Sequence, residues 1–362
     1  MKANDFQFIV PTKWIHGIDS VRKIGDIVDK YKAKKVTIIS DKNIIKSNIH
    51  KTLLKEIEKK AEYYIYDEIM GEPTVSFIDS LAKNSDLFDN DMFIGLGGGS
   101  VIDTTKSIRI LDEFSGSIRE YAGFDKIPKK IKKPLITIPT TSGSGSEISD
   151  GAVIIDDVYG TKFAVGGIFN SPTIALTDPT MTVTMPKSVT AVTGVDALVH
   201  AIESYITKTA SVATELFAIK AVELLGTNLL KAIEHGNNLS ARESMQLGST
   251  MAMISTFNSR LGLCHAFAMP LCGKYGMPHG QACGIVLPEV LEFNYPVKKE
   301  KIKIILSKIF EVAVNNDNDV RKAIERLKTL LINIGVKKSI TELGYNTNDK
   351  EDIVEKTMQS FQ

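Results

Sequence analysis

The sequence predicts an α/β domain with a parallel sheet, followed by an all-helical domain. Three observations lead there. In the first half, short β-branched runs alternate with helical patterns, and strands separated by helices pair in parallel through right-handed crossovers. After about Pro186, strand-like runs nearly vanish and a 3.6-residue period takes over. Between Asp178 and Pro186 lies the turn-rich segment TDPTMTVTMP, a natural boundary that gives domains of 1–182 and 183–362.

The elements follow in order. Lys35–Ser40 is a β-branched strand ending at Asp41, and a helix follows from about Ile49 to Lys60. Tyr63–Tyr66 reads as a strand, Val75–Ser85 as a helix, and Met92–Leu96 and Leu135–Pro139 as further strands. In the second half, helical periodicity marks Leu198–Tyr205, Ala213–Leu225, Ser240–Ser255, Lys301–Val314 and Val320–Ile334. The lysine-rich segment KIPKKIKKP, residues 126–134, reads as a solvated loop rather than a binding surface.

Composition narrows the function. With 43% hydrophobic and 24% charged residues, the chain can bury a sizeable core. A net charge of +1 argues against nucleic acid or a membrane surface as an electrostatic partner. No window is apolar enough to span a bilayer, and MKANDFQFIVPTKW lacks the apolar core of a signal peptide. The three cysteines, Cys264, Cys272 and Cys283, form no disulfide framework and suit a reducing cytoplasm.

The segment GVDALVHAIE carries the strongest chemical signal. Asp196 stands four residues before His200, so on a helix both side chains share a face one turn apart. His265 in GLCHAF and His279 in MPHGQ follow. One Asp and three His make a first shell suited to a borderline divalent metal. Taken alone, Asp196 and His200 would read as a surface acid and a core histidine. Cys264, Cys272 and Cys283 are read as small buried apolar residues rather than soft ligands.

Two loops point to a nucleotide. Gly97, Gly98, Gly99 and Ser100 follow a strand and open a helix through Asp103. Glycines let the backbone approach a diphosphate, and the helix N-terminus offers free N–H groups. The pattern is neither GxGxxG nor a Walker loop, and by itself it reads equally as a tight turn. PTTSGSGSE, with Thr140 and Thr141, follows the next strand. Asp41 also ends a strand; it is read either as a ribose acceptor that disfavours a 2′-phosphate or as a helix N-cap.

Taken together, SDKNIIK, GLGGGSVIDTTK, IPTTSGSGSE, LTDPTMTVTMP, TGVDALVHAIESY and MPHGQACGIVLPEVLEFN occur in an order that resembles the iron-containing (group III) alcohol dehydrogenases. The resemblance covers nearly the whole chain. It implies the dehydroquinate synthase-like fold: a nucleotide-binding α/β domain, an all-helical domain, and an active site in the cleft between them. It implies Asp196, His200, His265 and His279 as catalytic metal ligands, for Fe²⁺ or for Zn²⁺ or another divalent ion. It implies Asp41, Gly97, Gly98, Gly99, Ser100, Asp103, Thr140, Thr141 and Lys162 as contacts to NAD. The expected activity is hydride transfer between NAD and a small alcohol or aldehyde, by a homodimer or larger homo-oligomer.

The chain departs from the family at three places. Met269 stands where many members have a second histidine assigned to proton transfer. Glu72 replaces a frequent Asn before Pro-Thr. The chain ends at Gln362, where the family usually continues through a segment containing Asn-Pro-Arg. Competing readings are a zinc-dependent polyol dehydrogenase of the glycerol type, a dehydroquinate synthase-like lyase, and a metal- and nucleotide-binding protein without catalysis. The lyase needs more basic residues near the metal than Arg260 and Lys274.

Overall fold

The computed structural model describes residues 5–337, 339–343 and 349–359; Met1–Asn4 of the N-terminal segment and Gln362 lie outside the described residues. The chain divides into two compact units. One holds Val10–Thr141 and Gly145–Thr184; the other holds Met1–Ile9, Ser142–Ser144 and Met185–Gln362.

The first unit carries β1 (Lys13–His16), α1 (Ile24–Lys30), β2 (Lys35–Ile39), α2 (Lys42–Ser47), α3 (Lys51–Ile57), β3 (Glu62–Tyr66), α4 (Val75–Leu81), β4 (Met92–Gly97) and α5 (Gly99–Phe114). Then come β5 (Gly123–Phe124), β6 (Leu135–Pro139), β7 (Ala152–Asp156), β8 (Thr161–Gly166) and β9 (Ile174–Thr177). Six strands form an all-parallel sheet in the order β1-β9-β6-β4-β2-β3. A smaller sheet, β5-β8-β7, includes the antiparallel hairpin β7–β8. In β4, Met92, Ile94 and Leu96 pack with α1 and α3, while Phe93 packs with α4 and α5 on the opposite face. Burial on both faces explains why this strand reads as an unbroken apolar run.

The strand order reverses between β2 and β4. From β2 the chain proceeds outward to the edge strand β3, whereas from β4 it proceeds to β6 and β9 on the other side. At such a switch point the loops after adjacent parallel strands diverge and leave a crevice at their carboxyl ends. Ser40 ties the two ends together, donating its hydroxyl to the Leu96 carbonyl at 2.8 Å.

The second unit is helical: α6 (Lys187–Ile206), α7 (Val212–Glu234), α8 (Leu239–Ser259), α9 (Leu263–Tyr275), α10 (His279–Phe310), α11 (Asp317–Asn333) and α12 (Lys350–Gln359). Its core is one continuous apolar cluster centred on α6, where Val195, Leu198, Val199 and Ile202 are fully buried. Close helix approach depends on glycine. A Cβ on Gly280, near the start of α10, would overlap the Val192 carbonyl of α6 and lie 3.1 Å from Asp196 Cβ. Among the described residues no helix is long and apolar enough to cross a membrane.

Candidate functional site

α6 presents Asp196, His200 and Glu203 at spacings of four and three, and all three are buried. These spacings align them along one helix face. α9 contributes His265, and α10 begins at His279. Asp196 Oδ1 lies 3.8 Å from His265 Nε2 and 3.7 Å from His279 Nε2. The imidazole rings of His200 and His265 are 4.3 Å apart between centroids, and those of His265 and His279 are 5.3 Å apart.

His200 joins differently from the other two imidazoles. Its Nδ1 hydrogen-bonds the Asp196 carbonyl one turn back at 2.9 Å and lies 3.6 Å from Asp196 Oδ1. The ligand atoms that fall within 4.8 Å of one another belong to Asp196, His265, His279 and Cys283. Cys283, expected as a small buried apolar residue, is buried, yet its sulfur joins this group.

Glu203 is a functional side chain that the sequence reading passed over. It is 1% exposed. Its carboxylate accepts from His265 Nδ1 at 2.7 Å, from the Gly262 N–H at 3.0 Å and from the Cys264 N–H at 2.5 Å. Because Nδ1–H donates to Glu203, the lone pair of His265 is directed through Nε2. A carboxylate behind a ligating histidine fixes its tautomer and raises its basicity. The signal was in the sequence: an acid seven residues after Asp196 on an otherwise apolar helix.

The buried acid and the imidazoles shift one another's protonation. Burial alone would raise the Asp196 carboxyl, but His200, His279 and His265 hold it well below the usual carboxylate range. Burial works against charge on His265 and His279, yet the Cys283 sulfur and Asp196 raise both well above the imidazole range. Burial dominates at His200 and pushes it down to about 4. Among the described residues, Asp196 Oδ1 and His265 Nε2 are buried with no hydrogen-bond partner. Orphaned buried polar atoms are rare and commonly mark an unplaced ion or water. Oxygen and imidazole nitrogen donors at these separations suit Fe²⁺ or Zn²⁺.

The expected coenzyme residues lie in the first unit. Gly97 ends β4 and Gly98 caps α5 with extended backbone and no side-chain cap. A Cβ on Gly97 would press to 2.6 Å from Val101 Cγ2, and one on Gly98 to 3.3 Å from Thr141 Cγ2. With Gly98 at the cap, the residue that opens α5 offers no side chain to its first N–H groups. Thr140 follows β6, and its N–H bonds the Gly97 carbonyl at 3.0 Å, so the two loops run side by side. Asp41 caps α2: its Oδ1 accepts from the Asn43 N–H at 2.8 Å and the Ile44 N–H at 3.1 Å.

Two of these residues are engaged within the protein. The half-buried Asp103 accepts from the Ser146 hydroxyl and from the Val153 N–H at 2.9 Å. Lys162 forms an ion pair with Glu72, the residue that departs from the family pattern.

Residues 11–179 match the family model described as iron-containing alcohol dehydrogenase, and residues 190–361 match that of the Fe-containing alcohol dehydrogenase family, C-terminal. The 1,3-propanediol dehydrogenase of Klebsiella pneumoniae is 31% identical over 358 residues, covering 96% of this chain and 91% of the relative. The NAD-dependent methanol dehydrogenase of Bacillus methanolicus is 31% identical over 350 residues, covering 95% and 91%. The solved alcohol dehydrogenase from Oenococcus oeni superposes with a TM-score of 0.91 at 29% identity, covering 98% of this chain and 94% of that one.

Proposed function

This chain belongs to the iron-containing alcohol dehydrogenase family, and on that premise we propose how its own residues serve a metal-dependent, NAD-linked interconversion of a small alcohol and its carbonyl compound. Asp196, His200, His265 and His279 hold the ion. Gly97, Gly98, Gly99, Ser100, Thr140 and Thr141 receive the coenzyme, with Asp103 and Lys162 supporting that site. One observation carries the reading: Asp196 Oδ1 lies 3.8 Å from His265 Nε2 and 3.7 Å from His279 Nε2, and among the described residues neither Asp196 Oδ1 nor His265 Nε2 has a hydrogen-bond partner.

When bound, the ion would supply Lewis-acid polarisation of the substrate oxygen, and the nicotinamide would supply the hydride chemistry. The residues' part is positional. Glu203 holds His265 in one tautomer, and α6 sets Asp196 and His200 in register. Asp41 at the switch point disfavours a second phosphate on the adenosine ribose, which favours NAD over NADP. The half-buried Met269 carries no exchangeable proton, so the side chain at this position moves none. Three free thiols suit a reducing cytoplasmic setting, and the assembly we favour is a homodimer or larger homo-oligomer.

The test is metal removal by chelation under anaerobic conditions, then add-back of Fe²⁺ or Zn²⁺ while NADH oxidation is followed with short aldehydes. Activity should vanish and return with the ion, and His265→Ala should abolish it. A metal-free protein that reduces aldehydes at the full rate would refute the proposal.

A further inference from the structure

We infer that Glu68 is a second coenzyme-selecting residue, which keeps Lys42 from a 2′-phosphate and so reinforces Asp41 in favouring NAD over NADP, an inference that rests on the coenzyme reading above. Asp41 follows β2 and Glu68 lies just beyond β3. These parallel strands pair as far as Ile39 and Tyr66. Past that point the Ser40 N–H donates to the Tyr66 carbonyl at 2.8 Å, and Asp41 and Glu68 stand opposite each other in an isolated antiparallel bridge. Residues opposite in such a bridge project to the same face. Backbone pairing therefore sets the two acids side by side at the carboxyl ends of the strands, where open parallel sheets receive a ligand.

The next residue along the chain is a base. Lys42 Nζ lies 3.1 Å from Glu68 Oε1. A basic side chain beside the ribose acid is what accommodates a 2′-phosphate, so this strand end carries both a repelling group, Asp41, and an attracting one, Lys42. Asp41 is fixed in place by the Asn43 and Ile44 N–H groups that donate to its Oδ1. Lys42 is not fixed by burial, since its side chain is 52% exposed, and it turns to the nearest anion. Glu68 is the anion placed beside it. Removing the Glu68 charge acts twice in one direction: it takes away a negative charge near the 2′ position and releases Lys42 to pair with phosphate. NAD presents a neutral hydroxyl there and gains little. Exposed pairs are individually weak, which sets the expected effect at severalfold.

Direct binding tests this without relying on turnover. NADH and NADPH are titrated with the full-length protein and nicotinamide fluorescence gives each Kd. Wild type should hold NADH more tightly than NADPH. Glu68→Gln should tighten NADPH by about three- to tenfold and leave NADH nearly unchanged, which also reports that the variant is folded. The same substitution in a Lys42→Met background should lose most of that gain, because a double-mutant cycle isolates what passes through the pair. NADPH affinity unchanged by Glu68→Gln, or a gain undiminished without Lys42, overturns the inference and leaves the coenzyme site standing. A wild type that holds both coenzymes equally overturns it too. A wild type that binds neither overturns the coenzyme reading along with it.

Discussion

Replacing Glu203 with glutamine should weaken the metal site while changing one side chain by a single atom. Glu203 Oε2 accepts from His265 Nδ1 at 2.7 Å and Gly262 N at 3.0 Å, and Oε1 accepts from Cys264 N at 2.5 Å. All three partners are donors. Glutamine offers one acceptor oxygen and one NH₂ group. With the oxygen at the Oε2 position, the NH₂ faces the Cys264 N–H; turned round, it faces both other donors. At least one hydrogen bond to a buried charge becomes a donor–donor contact, a loss of about 1.5–3 kcal/mol in stability. The orientation of His265 is degraded as well, and loss of such a supporting group lowers metal affinity by about 10–100-fold, or about 1.4–2.8 kcal/mol. Chelator competition measures the affinity and denaturant unfolding of the metal-free protein measures the stability. A folded Glu203→Gln protein with wild-type metal affinity would refute the view that this carboxylate positions His265.

Gly280→Ala should force α10 away from α6, because the added methyl meets the Val192 carbonyl; a stability loss of about 1–3 kcal/mol and weaker metal binding should appear together in the same denaturation and competition assays. Asp41→Ser keeps an oxygen to cap α2 but removes the negative charge at the switch point, so the ratio of kcat/KM for NADPH over NADPH plus NADH should rise, with a relative gain for NADPH of about tenfold, or ~1.4 kcal/mol; an unchanged preference removes Asp41 from the coenzyme site. His50 is buried, and burial lowers its pKa below the ordinary 6.5. The unfolded chain therefore takes up the proton first, and this contribution to stability is lost as pH falls below 6.5. Against wild type, His50→Phe should flatten the decline of folding stability over that range in urea melts, and parallel curves would exclude His50 as the source.

The parallel sheet was legible because β2, β4 and β6 are short apolar runs bounded by turn residues, which is what burial on both faces requires. The hairpin β7–β8 was not. Its strands belong to a small sheet that leaves Val153 43% exposed, so the hydrophobic pattern is weak, although Gly160 at φ +65° marks the turn. Prolines hid the length of the later helices. Pro288 and Pro296 argue for breaks; α10 runs through Pro288, and two helical stretches meet at a kink at Lys298 (φ −127°, ψ 29°) just beyond Pro296. Pro270 masked α9 in the same way.

In the site, a spacing of four made Asp196 and His200 readable as a pair. The same spacing links His279 to Cys283, but a cysteine between alanine and glycine reads first as packing. Glu203 could have been found as a buried acid on an apolar face. The convergence of α6, α9 and α10 depends on helix contacts that no local pattern encodes. The partner of Lys162 was equally hidden: Glu72 is 90 positions earlier in the chain, and only the ion pair joins them.

Asp196, His200, Glu203, His265, His279 and Cys283 all belong to the unit that resumes at Met185, whereas Asp41 and the glycine turn belong to the other. The taste for an ion and the grip on a dinucleotide are thus written on separate stretches of the gene product. A lineage that drifts at the ion's donors on α6, α9 or α10 leaves Asp41 and the glycine turn untouched in sequence.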